Sequence, residues 1–248
     1  MKRLVALLIY TLPVFAEQHT ILAIGAHAAD MELTAGGILA SQKALGDRVV
    51  LLHMTLGEAG NPKMSPERYG AQKKQEATQA AALLGAEVIF GPYPDALLPN
   101  NEEARRFVVD VIRQVKPDYV ITHWKNSSHK DHANTYAIVK DAVLMAELEA
   151  VKTAHPPFRG IKSVYYAENW EDSEGFQPYL FINVSRGCEQ WTKAIRSYEM
   201  VRGGVSPFHY FDYYTALVHM RGAQMGQACT ETLDVEDAQK VLKIDRLR

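Results

Sequence analysis

Two short motifs that combine histidine with aspartate lie far apart in this chain. The first contains His27 and Asp30, and the second is the segment 129–132, which reads His-Lys-Asp-His. Imidazole and carboxylate groups are common ligands of zinc, and such short spacings let one loop or one helical turn present two of them. The residue types and their spacing therefore predict one mononuclear metal site to which both motifs contribute.

The elements that must position these motifs are strands and helices in alternation. Continuous apolar runs, typical of strands buried on both faces, are followed by segments with helical spacing. Strands are expected at 21–26, 49–55, 87–90 and 119–124, and helices at 33–45, 66–84, 101–115 and 133–148. The alternation predicts a Rossmann-like, three-layer α/β fold with a mostly parallel sheet. Ligands of such sheets bind beyond the carboxyl ends of the strands, so both motifs and the metal site are expected at that edge.

The carboxy-terminal third is less regular. Its expected strands are 163–167 and 179–184, and its expected helices are 189–200 and 211–225, the last interrupted by Gly222. We expect these elements to extend the sheet and to form a wall of the pocket.

Three residues are the predicted metal ligands. Two imidazoles and one carboxylate, from His27, Asp30 and His132, leave one zinc position for water, which is a catalytic arrangement. Zn2+ is the expected cofactor, with another divalent metal as the alternative. His129 is then free to stabilise an oxyanion or to donate a proton. Asp131 can fix the tautomer of a histidine, or cap the helix that follows, or both.

Composition excludes several classes of function. The chain has 248 residues and a formal net charge of −2, and one domain over 17–248 suits this length. The sequence contains no stripe of basic residues, which argues against a nucleic-acid partner. The first strand is not followed by Gly-x-Gly-x-x-Gly, and no Gly-x-Ser-x-Gly is present, which argues against a nicotinamide enzyme and a serine hydrolase.

The amino terminus has the three regions of a secretory signal peptide. Lys2 and Arg3 precede the apolar stretch 4–16, which ends at Ala16. We therefore expect residues 1–16 to be a cleaved signal peptide and the protein to be exported; a buried strand or an interfacial helix is the alternative. The run is too short for a stable membrane anchor. Cys188 and Cys229 can pair in an exported protein.

Taken together, these motifs resemble those of the PIG-L/LmbE-like zinc-dependent N-deacetylases. The usual first motif there, Ala-His-Pro-Asp-Asp followed by Glu and a Gly-Gly pair, is similar to 26–32 with 36–37 here. The usual His-x-Asp-His motif stands at 129–132. The segment 55–60 resembles the family's Thr-x-Gly-Glu, and 73–76 resembles its Arg-x-x-Glu, with Lys73 in place of Arg. The resemblance covers nearly all of the mature chain.

The resemblance implies hydrolysis of an N-acetyl group, commonly on an N-acetylglucosamine unit, so the expected partner is a small N-acetylated sugar or conjugate. It implies His27, Asp30 and His132 as metal ligands, and His129 as the histidine that assists the tetrahedral intermediate. In the family the first Asp of the Asp-Asp pair is the general base.

The base position is the main departure from the family pattern. It is occupied here by Ala29, and the preceding proline by Ala28. One hypothesis is an enzyme with reduced or rerouted base catalysis, with His129, Asp131 or Glu32 in the role; a positioned base contributes about 10²–10⁴-fold. The alternative is a homologue that retains the metal site and binds a carbohydrate-like ligand without catalysis. A third hypothesis is that Ala28 and Ala29 were introduced by engineering in order to trap substrate. We favour the enzyme, since zinc alone lowers the pKa of water to about 7.

Three further residues are candidates for substrate binding. Asp95 follows the third strand and can bind substrate hydroxyls, or form a turn beside Pro94. Lys73 can meet an anionic group, or lie on a solvated helix face. Trp124 can stack on a sugar ring, or belong to the core.

Overall fold

A seven-stranded sheet forms the centre of the molecule. The computed structural model describes residues 17–241, so the predicted signal peptide at 1–16 lies outside the described residues. The strands are β1 Thr20–Gly25, β2 Arg48–His53, β3 Glu87–Phe90, β4 Tyr119–Thr122, β5 Ser163–Ala167, β6 Leu180–Asn183 and β7 Thr230–Asp234. Their order in the sheet is β3-β2-β1-β4-β5-β7-β6. The first five strands are parallel along this order, and β7 is antiparallel to both β5 and β6.

Helices cover both faces of the sheet. They are α1 Asp30–Ala44, α2 Pro66–Leu84, α3 Glu102–Val115, α4 Lys130–Ala146, α5 Cys188–Ile195 and α6 Tyr210–Met225. Successive side chains of a strand point to opposite faces. Accordingly, Ile21 and Ala23 of β1 pack in the core under α1, α2 and α5, whereas Leu22 and Ile24 pack in the core under α3 and α4. The predicted three-layer, mostly parallel α/β fold is confirmed.

Within residues 17–241, no helix combines the length and the apolar character that crossing a bilayer requires.

The carboxy-terminal third differs in detail from the expectation. The strand β7 was not predicted, α5 ends at Ile195 instead of continuing to 200, and α6 continues through Gly222 without interruption. Cys188 and Cys229 form a disulfide, which ties the start of α5 to the residue before β7. The covalent link and β7 together hold this third of the chain against α1.

The glycine pair in α1 permits two close contacts that fix this helix. Trp191 of α5 covers Gly36, where a Cβ would lie 2.5 Å from the indole ring. Glu231 of β7 reaches Gly37, and its two carboxyl oxygens accept hydrogen bonds from the Gly37 and Ile38 N–H groups at 2.8 and 2.7 Å. A larger residue at either glycine would push these neighbours away. The contacts matter for the site because α1 begins with a predicted metal ligand.

Candidate metal-dependent active site

A cavity of about 200 Å³ lies at the carboxyl ends of β1 and β4. His27 follows β1 by two residues, and His132 lies in the first turn of α4. Both line the cavity, together with Asp30, the first residue of α1. The two motifs therefore meet beyond the carboxyl ends of the strands, where ligands of open parallel sheets bind.

Three donor atoms form a nearly equilateral triangle in this cavity. His27 Nδ1 lies 3.2 Å from Asp30 Oδ2 and 3.3 Å from His132 Nε2, and the last two atoms are 3.4 Å apart. Zinc bonds of about 2.0–2.1 Å in a tetrahedron place its ligand atoms about 3.3–3.4 Å from one another. Both the chemistry and the spacing of these donors fit zinc or a similar divalent cation.

The charges at the triangle also favour a cation. Burial lowers the pKa of His27, but the attraction of Asp30 and the nearby carboxylates of Asp131 and Asp95 outweigh it and raise the pKa well above its usual value. For Asp30, burial raises the pKa, and the charges of His27 and His132 more than offset this and hold it well below its usual value. The centre thus stabilises positive charge among carboxylates, which a divalent cation supplies in place of protons.

The two sides of the His27 ring face different partners. While Nδ1 belongs to the triangle, Nε2 lies 3.1 Å from Asp95 Oδ1 and 3.6 Å from Asp131 Oδ2. A carboxylate beside Nε2 keeps the proton there and leaves the Nδ1 lone pair for a metal. Asp131 is completely buried and does not line the cavity. Its place fits the predicted tautomer-fixing role and does not fit contact with a water in the cavity.

His132 is oriented by a residue that the sequence did not indicate. Its Nδ1 lies 2.9 Å from Asp172 Oδ1, and the other oxygen of Asp172 lies 2.9 Å from His123 Nδ1. This contact turns the Nε2 atom of His132 toward the triangle. The pKa of Asp172 is lowered because its hydrogen bonds with His123 and His132 outweigh burial.

His123 is the second residue that the sequence analysis missed. It directly follows β4, and its Nε2 lies 3.1 Å from Asp30 Oδ2. Asp30, His123 and His132 each offer a donor atom within 4.8 Å of the others, so His123 borders the triangle. Its position at a strand end was the signal that would have found it. The Ala26 N–H donates to Nε2 at 3.0 Å and so competes for the atom that a metal would need.

His129 lies at the amino end of α4 and lines the cavity. Its Nδ1 accepts a hydrogen bond from the Asp131 N–H at 3.2 Å, so the proton of a neutral His129 is on Nε2. Burial and then repulsion from His27 and His132 lower its pKa. A neutral imidazole with one free N–H is suited to donate a hydrogen bond to a developing oxyanion.

Lys73 lines the cavity and is buried, in contrast to the solvated helix face considered for it. Its Nζ donates to the Ala28 carbonyl at 2.6 Å and lies 4.7 Å from the Tyr198 ring centroid. Burial lowers its pKa against the attraction of nearby carboxylates. Lys73 thus supports the backbone of the first motif from within the cavity wall.

Trp124 belongs to the core and not to the cavity wall. It is 1% exposed, packs against Tyr166 and Phe176, and donates from Nε1 to the Glu174 carbonyl at 2.9 Å. The substrate-binding role predicted for it is not met, because the strand end turns the indole toward the loop that carries Glu174.

Glu32, a candidate for the missing base, is enclosed by protein and separated from the cavity. Its Oε1 accepts a hydrogen bond from the Tyr198 hydroxyl at 2.5 Å and lies 3.3 Å from His53 Nε2. Glu32 is completely buried and does not line the cavity. It therefore has no path to a water at the triangle.

The opposite wall of the cavity comes from the carboxy-terminal half. It includes Glu171, from a 3-10 turn over Trp170–Asp172, and two tyrosines of α6. Glu171 Oε2 lies 4.0 Å from His132 Nε2. Burial, together with the charges of Asp30 and Asp172, raises the pKa of Glu171. No periodicity or motif in the sequence marked these residues.

The backbone at Ala29 has a conformation that side chains rarely adopt. Ala29 has φ of 100° and is 1% exposed, whereas the neighbouring Ala28 is equally buried and is not among the residues with positive φ. A β-branched residue is especially strained there. Ala29→Val is therefore expected to lower the free energy of unfolding by about 1–2 kcal/mol more than Ala28→Val does. Urea unfolding of the two variants measures this difference, and equal losses would contradict the assigned conformation.

Comparison with known proteins places this fold and these motifs in a family. The family described as PIG-L, GlcNAc-PI de-N-acetylase, matches residues 22–143. A 1D-myo-inositol 2-acetamido-2-deoxy-alpha-D-glucopyranoside deacetylase of Acidothermus cellulolyticus is 30% identical, over 71% of this chain and 73% of the relative. A 4-oxalmesaconate hydratase of Pseudomonas putida is 26% identical, over 84% of this chain and 81% of the relative.

A solved structure has a similar fold over nearly the whole chain. The conserved protein TT1542 of Thermus thermophilus superposes with a TM-score of 0.78 at 25% identity, and the match covers 93% of this chain and all of that one. The resemblance inferred from the two histidine motifs is thus confirmed, and the chain belongs to the PIG-L/LmbE-like deacetylase family.

Proposed function

We propose that the protein is a zinc-dependent hydrolase that removes an N-acetyl group from an N-acetylated sugar or conjugate. The observation that carries the proposal is the triangle of His27 Nδ1, Asp30 Oδ2 and His132 Nε2 at a solvent-accessible cavity. We assign these three residues as the metal ligands. A bound zinc ion polarises the acetamide carbonyl and lowers the pKa of water to about 7.

The residues around the triangle have complementary roles in this proposal. Asp172 holds the ring of His132, and Asp95 with Asp131 holds that of His27, so the donor atoms are fixed before substrate arrives. His129 donates a hydrogen bond from Nε2 to the oxygen on which negative charge develops.

The lining of the cavity supports a neutral, hydroxylated substrate. Three tyrosines line the cavity, namely Tyr69, Tyr210 and Tyr214, and such rings can pack against a sugar. The cationic side chain of Lys73 is engaged by a backbone carbonyl. An N-acetylated sugar fits this environment better than a polyanion does.

Water addition to an unsaturated acid is a second candidate. It is favoured by the hydratase relative and by the methyl group at Ala29, where the family resemblance places the base of amide hydrolysis. The acidic lining of the cavity disfavours it, because substrates of this kind carry carboxylates. A non-catalytic protein that binds a carbohydrate-like ligand at the metal is the remaining alternative.

We also propose that the protein is exported. The predicted signal peptide supports this, and so does the Cys188–Cys229 disulfide, since such bonds persist in oxidising compartments.

A substrate panel tests the proposed function. The purified protein is expected to hold about one zinc per chain and to release acetate from N-acetylglucosamine, N,N'-diacetylchitobiose or an N-acetylglucosaminyl inositol. Zinc is measured by mass spectrometry, acetate by an enzymatic assay, and hydration by the absorbance of an unsaturated oxo-acid. Hydration without acetate release would favour the second candidate, and zinc with sugar binding but no turnover would favour the binder.

A further inference from the structure

Three carboxylates line the cavity, and two of them are already engaged. Asp30 Oδ2 is a corner of the triangle. Asp95 faces His27 Nε2 with Oδ1 and accepts the Ala59 N–H with Oδ2 at 2.9 Å. The carboxylate of Glu171 accepts no hydrogen bond from any residue of the range 17–241, and its contact with a basic side chain in that range is the one to His132 Nε2 at 4.0 Å. Glu171 therefore has both oxygens available to a molecule in the cavity.

The backbone around Glu171 is firmly held, so this placement is a built feature of the site. The Glu171 N–H donates to Asn169 Oδ1 at 3.2 Å, and its carbonyl accepts the Ser128 N–H at 2.9 Å. The preceding Trp170 stacks on Phe208 at 4.5 Å between ring centroids. The following residue is Asp172, which bonds His132. One short turn thus fixes the orientation of a metal-ligand histidine and presents a free carboxylate beside it.

The other groups considered for proton transfer are placed elsewhere. Glu32 is sealed beneath the cavity by Tyr198. Asp131 is buried on the far side of the His27 ring. His129 has its only lone pair in use, because Nδ1 accepts the Asp131 N–H. Glu171 lines the cavity with its Oε2 atom 4.0 Å from the His132 corner of the triangle, a separation that one water molecule can bridge.

We propose that Glu171 is the general base of this site and replaces the carboxylate that the family resemblance places at Ala29. In the step, an O–H bond of water breaks and its proton moves to the Glu171 carboxylate, while the water oxygen bonds to the amide carbon and the electron pair of the C=O π bond moves to the carbonyl oxygen. The C–N bond then breaks, its electron pair stays on nitrogen, and Glu171 returns the proton to that nitrogen. The C=O bond re-forms as the C–N bond breaks, which gives acetic acid and a free amine. The proton of the acid then passes to the amine, so the products are acetate and an ammonium group, and water is the only co-reactant. The inference rests on the proposed function.

Glu171→Gln is the decisive variant, because it keeps the size of the side chain and removes its basicity. We expect kcat to fall about 10²–10³-fold, while zinc content and KM stay close to native values. Glu174→Gln, an exposed residue of the same loop, is the matched control and is expected to behave as native. Adding Ala29→Asp to Glu171→Gln is expected to recover at least about tenfold in kcat, since a second base is supplied.

Binding of acetohydroxamic acid gives a readout that is independent of turnover. This probe loses a proton when it binds a metal as hydroxamate, and a nearby base takes that proton. Calorimetry is expected to give at least about tenfold weaker binding for Glu171→Gln than for native protein and Glu174→Gln.

Several results would overturn the inference. A Glu171→Gln variant with native kcat and native hydroxamate binding would exclude Glu171, and loss of zinc in that variant would make it a ligand instead. A native protein that is inactive until Ala29→Asp is introduced has no working base, which rejects Glu171 and leaves the deacetylase scaffold standing. If neither native protein nor Ala29→Asp releases acetate, the proposed function itself fails, and the role of Glu171 fails with it.

Discussion

His132→Ala is expected to remove zinc and to reduce acetate release below detection. Loss of an outer hydrogen-bond partner of a metal ligand costs about 10–100-fold in metal affinity, and loss of the ligand itself costs more. His129→Ala is expected to keep zinc and to lower kcat about 10²-fold, because it removes only the donor to the oxyanion. Metal analysis and steady-state kinetics on the same preparations separate the two effects.

The matched control for both variants is His209→Ala. The His209 side chain is 81% exposed and lies outside the cavity lining. Native zinc content is expected there. The ligand assignment would be wrong if His129→Ala lost zinc while His132→Ala retained it. His27, His129 and His132 do form a group with donor atoms within 4.8 Å, so this comparison decides between two histidines that are both near the centre.

The free energy of unfolding is expected to fall as the pH rises from about 4.5 to about 8, through Glu231. Burial of this carboxyl group outweighs its hydrogen bonds from the Ile38 and Gly37 N–H groups and raises its pKa from 4.5 to about 8. Between these values the folded protein holds a proton that the unfolded chain has released. The contribution of the Glu231 proton to the free energy of unfolding is therefore complete below about pH 4.5 and lost above about pH 8. Between these pH values, the free energy of unfolding falls by roughly 1.4 kcal/mol per pH unit.

Glu231→Gln isolates this contribution, because glutamine does not titrate. Urea unfolding of native protein and variant across pH 5–8 is expected to give a difference in unfolding free energy that changes steeply with pH. The exposed Glu149→Gln variant should retain the native pH dependence. A constant offset between native protein and Glu231→Gln would show that Glu231 stays ionised in the fold, held so by the two backbone N–H donors.

The regular part of the fold could be predicted because burial on two faces leaves apolar runs in the sequence. The strand β7 could not. Its five residues are all buried, yet four of them are polar: Thr230, Glu231, Thr232 and Asp234. Partners outside the strand engage three of these side chains, for example the α1 backbone for Glu231 and Lys240 for Asp234. Hydrophobic patterning carries no information on such a strand.

The starts of two helices lie earlier than the apolar spacing predicts, for a related reason. The first turns of α1 and α4 contain the motif residues Asp30 and His132, whose polar side chains break that spacing. The convergence of His27 and His132 followed from the binding of ligands beyond the carboxyl ends of parallel strands, which depends only on topology. Glu171 and Asp172 lie in a turn between β5 and β6, and the course of such a turn is set by tertiary contacts. The sequence consequently predicted that His27, Asp30 and His132 meet at one edge of the sheet. It named Asp131 and Asp95 beside them and missed Asp172 and Glu171.

The disulfide separates the cavity residues into those inside its covalent loop and those outside it. Met200, Ser206, Tyr210 and Tyr214 all line the cavity, and all lie between Cys188 and Cys229 in the chain. The predicted metal ligands His27 and His132 lie outside this covalent loop. The disulfide is therefore expected to limit the freedom of the wall that the proposed substrate contacts and to leave the predicted metal ligands unaffected. Part of the entropy cost of ordering that wall would then be met before substrate binds. The redox state of one cysteine pair is thus expected to affect substrate recognition without affecting metal retention.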